Sequence, residues 1–443
     1  MSNLESNRAA TLIGMSPKPP QGESEKHKEC DTDKKDGITS FGATVHILRG
    51  SIGSGFLLMP FLMKNLGYVT GTVVILTVAT FYYHIVHVLV STEDKVCRQL
   101  KIDQLSYIEL AEEVFKFSPF PLNKFRRINR YCLYLLFGIP TTNASFLVLI
   151  ANGVQIIGKF FGVELKTWHI ISVVIIPLTL LCMSRKVLEI LVPYSNLTNI
   201  CSFLIAFIVI ATSISHRAKW ATVQPFGNAA YIPESVAICA KTFRFTALVL
   251  AIKHHMNHPE KYTHTFGPVN VAASILIIFY YSFGVILYVS YGDEVQGNVL
   301  LNMPNQNYLT DSINLLYTVT MSVAYVIVFY GRIDNLWSGV VKQKFANKSY
   351  GYLVENGFYI GFNVFTYLIA VALPDFAIIT AVSGTMAIPL ELALPLVMDL
   401  VIRSKNGELN YWVISKNVIV IGGSVVLCIL SAKNLILEII NMN

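Results

Sequence analysis

Apolar runs of about twenty residues recur along almost the whole chain, each long enough to carry a helix across roughly 30 Å of hydrocarbon. Eleven such spans are expected, near residues 42–63, 67–91, 130–158, 167–183, 188–213, 234–252, 268–291, 312–331, 352–373, 375–401 and 411–438. They leave no room for a soluble domain. Only 14% of residues are charged and 53% are hydrophobic, against a soluble norm of about a quarter charged. The expected fold class is therefore an all-α integral membrane protein occupying residues 41–443.

Residues 1–40 are different: they are polar, charged and poor in aromatics, so they bury too little to order themselves and are expected to form a disordered cytosolic tail. No cleavable leader pattern comes after Met1, and Ser2 stands where myristoylation needs glycine, so the first span is expected to serve as its own insertion signal. Placing the tail in the cytosol puts about two dozen of the 34 Lys and Arg on the inner side, among them "KFRRINR" at 124–130. That bias also accounts for the net charge of +7, so no nucleic-acid partner is implied. The seven cysteines are Cys30, Cys97, Cys132, Cys182, Cys201, Cys239 and Cys428; two fall in cytosolic segments and five in spans, which leaves no outer pair to oxidise. Gly-rich phosphate loops and zinc-type cysteine spacings are not found.

The first span reads "HILRGSIGSGFLLMP" at 46–60. Gly50, Gly53 and Gly55, with Ser51 and Ser54 between them, are a costly way to build a plain helix, at about 1 kcal/mol per glycine. Small residues also serve close helix packing in membranes. His46 and Arg49 favour a break, because ionisable residues inside a span usually face a cavity or a partner, and Pro60 is expected to kink the second half of the span. Broken transporter helices leave amide N–H groups and a half-helix N-terminus for an anionic group such as a carboxylate, and freed carbonyls for a cation. Such a site suits a zwitterion.

The stretch "HILRGSIGSGFLLMPFLMKNLGYVTG" closely resembles the first span of the proton-coupled amino acid transporters, in the amino acid/auxin permease group. The likeness returns in "HIVHVLV" at 84–90, "HPEKY" at 258–262, "ALPLVMDL" at 393–400 and "LILEII" at 435–440. It implies a LeuT-like 5+5 inverted repeat plus one extra helix, and it matches His46 to the histidine associated with proton coupling. A pKa near 6.5 suits histidine to that role independently, while the plainer reading is a neutral histidine bonded in the core.

An inverted repeat predicts a second interruption in the sixth span. Here that span reads "KTFRFTALVLAIKHHM". Against the family pattern the acid becomes Arg244, the glycines Phe245 and Ala247, the proline Ala251 and the second acid Lys253. Without glycine or proline the span is expected to run as a continuous helix. Lys241 and Arg244 lie mid-span one turn apart, and cations there need partners; Glu391 in the tenth span is the candidate for Arg244. Histidines at 84, 87, 254, 255 and 258 raise a metal-dependent oxidase as an enzyme reading, but they offer too few ligands and no third box, so no metal and no enzyme is expected.

The resulting expectation is a secondary active transporter, a multi-pass symporter of small neutral amino acids in the plasma membrane or a lysosomal or endosomal one. The substrate would sit against Ser51, Gly53, Ser54 and Gly55, with Asn143 of "TTNAS" (141–145) as polar wall, Phe243 and Thr246 beside it and His46 on the proton path. No cofactor is expected; H⁺ is the coupling ion, and Na⁺, held with help from Thr318, Thr320 and Ser322, is the nearest variant. The lipid bilayer is the other partner, and the oligomeric state stays open. The altered sixth span motivates a rival of another class, a transport-dead amino acid sensor of the same fold. Sequons begin at Asn143, Asn196 and Asn347, the first two in spans and the third in a cytosolic loop, so none should be glycosylated.

Overall fold

A computed structural model describes residues 37–118, 141–163, 165–183, 185–214, 222–244, 246–303, 308–337 and 351–442. The tail expected at 1–40 and the basic run at 124–130 fall largely outside these residues. Helix α1 (Ser40–Ser51) starts where the Thr39 side chain accepts from the amide of Gly42 at 3.1 Å. Ile52 and Gly53 leave helical geometry, a 3₁₀ turn spans Ser54–Leu58, and α2 (Met59–Leu66) comes next. The two halves meet at 53°. Pro60 sits in the first turn of α2, where its missing N–H costs nothing, so it starts the second half rather than kinking it.

Helix α3 (Tyr68–Leu100) ends at Lys101 in the left-handed region, and the short amphipathic α4 (Tyr107–Lys116) begins with a capping box between Ser106 and Glu109. Next come α5 (Thr141–Phe160), α6 (Thr167–Met183) and α7 (Arg185–Ile214). The sixth span is α8 (Ile232–Thr242) and α9 (Thr246–His254). After it stand α10 (Pro268–Tyr291), α11 (Tyr308–Leu336) and α12 (Gly351–Ala372). The tenth span is α13 (Phe376–Ile388), a π-helical turn (Pro389–Ala393) and α14 (Leu394–Lys405); α15 (Tyr411–Met442) is last. No strand occurs among the described residues, where Ile38 and Met256 form an isolated parallel bridge.

By length and composition, seven helices among the described residues can cross a membrane, eight with the bent α1–α2 pair. The expected eleven are not all met by that measure: the sixth span is split into pieces of 11 and 9 residues, α6 is a shorter apolar helix, and α12 is not among the helices that qualify. Inside the bundle α8 lies against α13 so closely that a side chain on Gly384 would stand 1.8 Å from the carbonyl oxygen of Ala237. α1 and α2 pack on α10, α5 packs on α11, and α15 lies outside α8 and α13. The five described cysteines are free. The Gly67 end of the bundle is tied by Gly227 and Asn228 amides donating to the carbonyls of Leu66 and Asn65 at 2.6 and 3.1 Å.

Candidate functional site

The first break frees backbone groups in the middle of the bundle. The Ser51 carbonyl accepts the Tyr280 hydroxyl at 2.9 Å, while the Ser51 hydroxyl turns back to the carbonyl of Ile47 at 2.8 Å. Gly53 precedes the 3₁₀ turn with no side chain capping it, so the amides that open the turn have no side-chain acceptor. A methyl group on Gly53 would meet nothing within 4 Å, whereas one on Gly55 would stand 2.4 Å from Thr242 Oγ1 and one on Gly50 2.3 Å from Leu248 Cδ1. Gly50 and Gly55 are thus needed for close approach to the sixth span, and Gly53 borders open space.

The sixth span is interrupted, contrary to the continuous helix that its lack of glycine and proline implied. α8 ends at Thr242, Phe243 and Arg244 leave the helix, and α9 resumes at Thr246. Side-chain anchoring replaces the missing breakers. Phe243 is buried edge-on against Tyr280, ring centroids 5.2 Å apart, and Arg244 reaches across the bundle to Glu391, Nε to Oε1 3.2 Å. Tyr280 therefore touches both breaks, through its hydroxyl at Ser51 and its ring at Phe243. Phe243 belongs to the buried apolar core, and the Thr246 side chain lies outside the described residues.

Around this second break lies a polar network in an otherwise apolar core. Lys241 donates from Nζ to Ser145 Oγ at 2.7 Å and Thr380 Oγ1 at 3.1 Å, and stands 5.8 Å over the ring of Phe376. Arg244 Nη2 donates to Thr142 Oγ1 at 3.3 Å, and that hydroxyl pairs with Ser383 Oγ at 2.9 Å. Glu391 is presented by the π-helical turn, whose Leu390 carbonyl accepts the Tyr107 hydroxyl at 2.5 Å. Asn143 is buried, and its Nδ2 has no hydrogen-bond partner among the described residues. Sequence reasoning did not reach Thr380, Ser383 or Tyr280, because a hydroxyl in an apolar helix usually back-bonds and a mid-span tyrosine reads as packing. Thr318, Thr320 and Ser322 do back-bond, each to the carbonyl four residues earlier at 2.7–2.8 Å.

The two ends of the bundle differ. At the Gly67 end a cavity of about 370 Å³ is lined by Phe61, Lys64, Asn152, Glu294, Asp375 and Phe376 among others, so Phe376 stands between that cavity and Lys241. At the other end Glu93 of α3 accepts from Lys253 Nζ at 2.5 Å and lies 2.7 Å from His254 Nε2, with Lys253 also on Asp94 at 2.5 Å. Backbone bonds from Ile38 to His255 (2.8 Å) and from Asn257 to Ile38 (3.0 Å) fasten the start of α1 there. Glu408, in the loop beyond α14, is held below the usual carboxylate range mainly by its hydrogen bond from Lys95. His46 stands near Arg49 and His255, its buried Nδ1 without a hydrogen-bond partner among the described residues. His84 and His87 are engaged by Lys416 (2.8 Å) and Asn270 (2.7 Å), and no group of three metal-type ligands forms among the described residues.

A family model described as transmembrane amino acid transporter protein matches residues 36–437. The proton-coupled amino acid transporter-like protein pathetic of Drosophila melanogaster is 22% identical over 390 residues, covering 85% of this chain and 80% of that protein. The probable amino acid transporter skat-1 of Caenorhabditis elegans is 19% identical over 360 residues, covering 79% and 77%. Among solved structures, MhsT in complex with L-phenylalanine superposes with a TM-score of 0.52 at 9% identity, over 88% of this chain and 98% of that one. That likeness concerns the fold, a LeuT-like helical bundle.

Proposed function

Because the chain belongs to the transmembrane amino acid transporter family, we propose that it is a secondary active transporter of small neutral amino acids driven by protons. It is a membrane-embedded amino acid transporter and not an enzyme. The observation that carries the finer reading is the first break: the amides that open the turn at Ser54 have no side-chain cap and open space borders Gly53, which suits a substrate carboxylate. Asn143 supplies a buried donor without a partner among the described residues, and the ends of the break supply carbonyls toward an ammonium. His46, one turn before Gly50, is the group we assign to proton coupling, with the N-terminus in the cytosol and the protein in the plasma membrane or a lysosomal or endosomal one. A sensor that binds without transport was motivated by the altered sixth span, and the break at Phe243 and Arg244 supports transport over it.

Uptake of labelled glycine, alanine or proline into proteoliposomes under an imposed proton gradient tests this. Concentrative uptake that collapses with the gradient is expected. Saturable binding with no accumulation would overturn transport, and accumulation indifferent to pH but dependent on sodium would overturn the proton.

A further inference from the structure

We propose that Tyr280 is the positioning residue that keeps the first break open to substrate: its hydroxyl holds the Ser51 carbonyl, which would otherwise take back the Gly55 amide. The inference rests on the reading that the amides of the break receive the substrate carboxylate, and it deepens that reading by naming the group that keeps one of them available.

In a continuous α-helix the carbonyl of Ser51 accepts the amide four residues later, which is that of Gly55. Here the amide of Ile52 donates to Leu48 at 2.9 Å as the last bond of α1. Ile52 and Gly53 belong to no hydrogen-bonded turn, so the bond from Gly55 to Ser51 is not made. A carbonyl left unpaired in an apolar core is costly, and the nearest local remedy is to wind the helix on until that bond forms. The Tyr280 hydroxyl removes the incentive by donating to the Ser51 carbonyl at 2.9 Å. Tyr280 is fully buried, so the same bond satisfies the phenol.

The rest of α10 fixes the geometry in which this works. Phe283 meets Phe56 edge-on with ring centroids 5.0 Å apart, and a Cβ on Gly284 would stand 3.2 Å from that of Met59, so α10 bears on the first span on both sides of its break. The Tyr280 ring is itself set by Phe243 of the second break, 5.2 Å away at an interplanar angle of 84°. The hydroxyl therefore reaches Ser51 from a ring that the sixth span helps to orient. When Phe243 moves, the ring is free to turn, the hydroxyl leaves the carbonyl, and Gly55 is drawn back onto α1. The second break thus controls how many amides the first one offers.

Wild type and Tyr280→Phe, full-length in nanodiscs, test this by amide hydrogen exchange and by binding of labelled alanine. The variant keeps the ring against Phe243 and loses only the hydroxyl, so Gly55 should give its amide to Ser51, and the peptide spanning residues 52–58 should exchange severalfold more slowly than in wild type. A tyrosine that merely filled space would give the opposite sign, because lost support speeds exchange. Faster or unchanged exchange overturns the inference, whether or not anything binds. Alanine affinity should fall severalfold in the variant, and slower exchange with unaltered affinity overturns the role toward substrate. A wild type that binds no alanine strikes at the proposed substrate, and exchange then decides Tyr280 alone. Should Tyr280→Phe fail to fold, Phe243→Leu leaves the hydroxyl in place and releases the ring. Slower exchange of the same peptide is expected there too, and exchange that is unchanged or faster overturns the inference.

Discussion

Gly55 and Thr242 are in contact: a Cβ at Gly55 would stand 2.4 Å from Thr242 Oγ1 and 2.9 Å from its Cβ and Cγ2. The two breaks thus touch through a glycine, and overfilling such a contact typically costs about 1–3 kcal/mol. Gly55→Ala should lower the melting temperature of the purified protein, and Thr242→Ala should restore only part of it, because its Cβ remains. Gly53→Ala meets open space, so it should lower the melting temperature less than Gly55→Ala does while losing the stabilisation that substrate confers. A Gly53→Ala protein still stabilised by substrate would place the substrate elsewhere.

Arg244 and Glu391 offer a cleaner energetic test. Removing one partner of a buried pair strands the other charge at about 3–5 kcal/mol, whereas replacing both is often tolerated. Arg244→Met and Glu391→Met should each reduce folded yield, and the double variant should recover much of it, with a coupling well above the additivity error of about 0.5 kcal/mol. Additive losses would mean that the 3.2 Å contact contributes little.

For His46, loss of the imidazole removes a titrating group but leaves both breaks intact. His46→Ala should abolish accumulation driven by a pH gradient while part of the amino acid exchange survives. Acid-stimulated accumulation equal to wild type would remove His46 from the coupling path.

Glycosylation checks the orientation. Asn143 and Asn196 lie within α5 and α7, and Asn347 lies outside the described residues. The protein made in a eukaryotic host should not shift in size on glycosidase treatment. A shift abolished by Asn347→Gln would put that loop on the far side of the membrane and reverse the placement of the N-terminus.

The apolar runs and the glycine spacing at 50, 53 and 55 made the helical membrane fold and the first break readable, because lipid penalises unpaired backbone and glycine has few other reasons to cluster there. The acid and base set opposite each other on sequence grounds, Arg244 and Glu391, stand 3.2 Å apart. The second break was not readable: no residue of 241–247 is a local breaker, and the turn is held by Tyr280 and Glu391 from other helices. Tertiary contact there overrides local propensity. The partner of Lys253 was hidden for a similar reason. Glu93 is 160 positions away, and only the packing of α9 on α3 brings it within 2.5 Å.

The parallel bridge between Ile38 and Met256 joins the chain just ahead of the first span to the chain just after the sixth. The lower halves of the two broken spans are therefore stitched into one lever, with Glu93 gripping the same joint through Lys253 and His254. A rocking movement that frees one half must carry the other or unpick the stitch. Anything that pulls on the chain at Gly37 pulls at that seam.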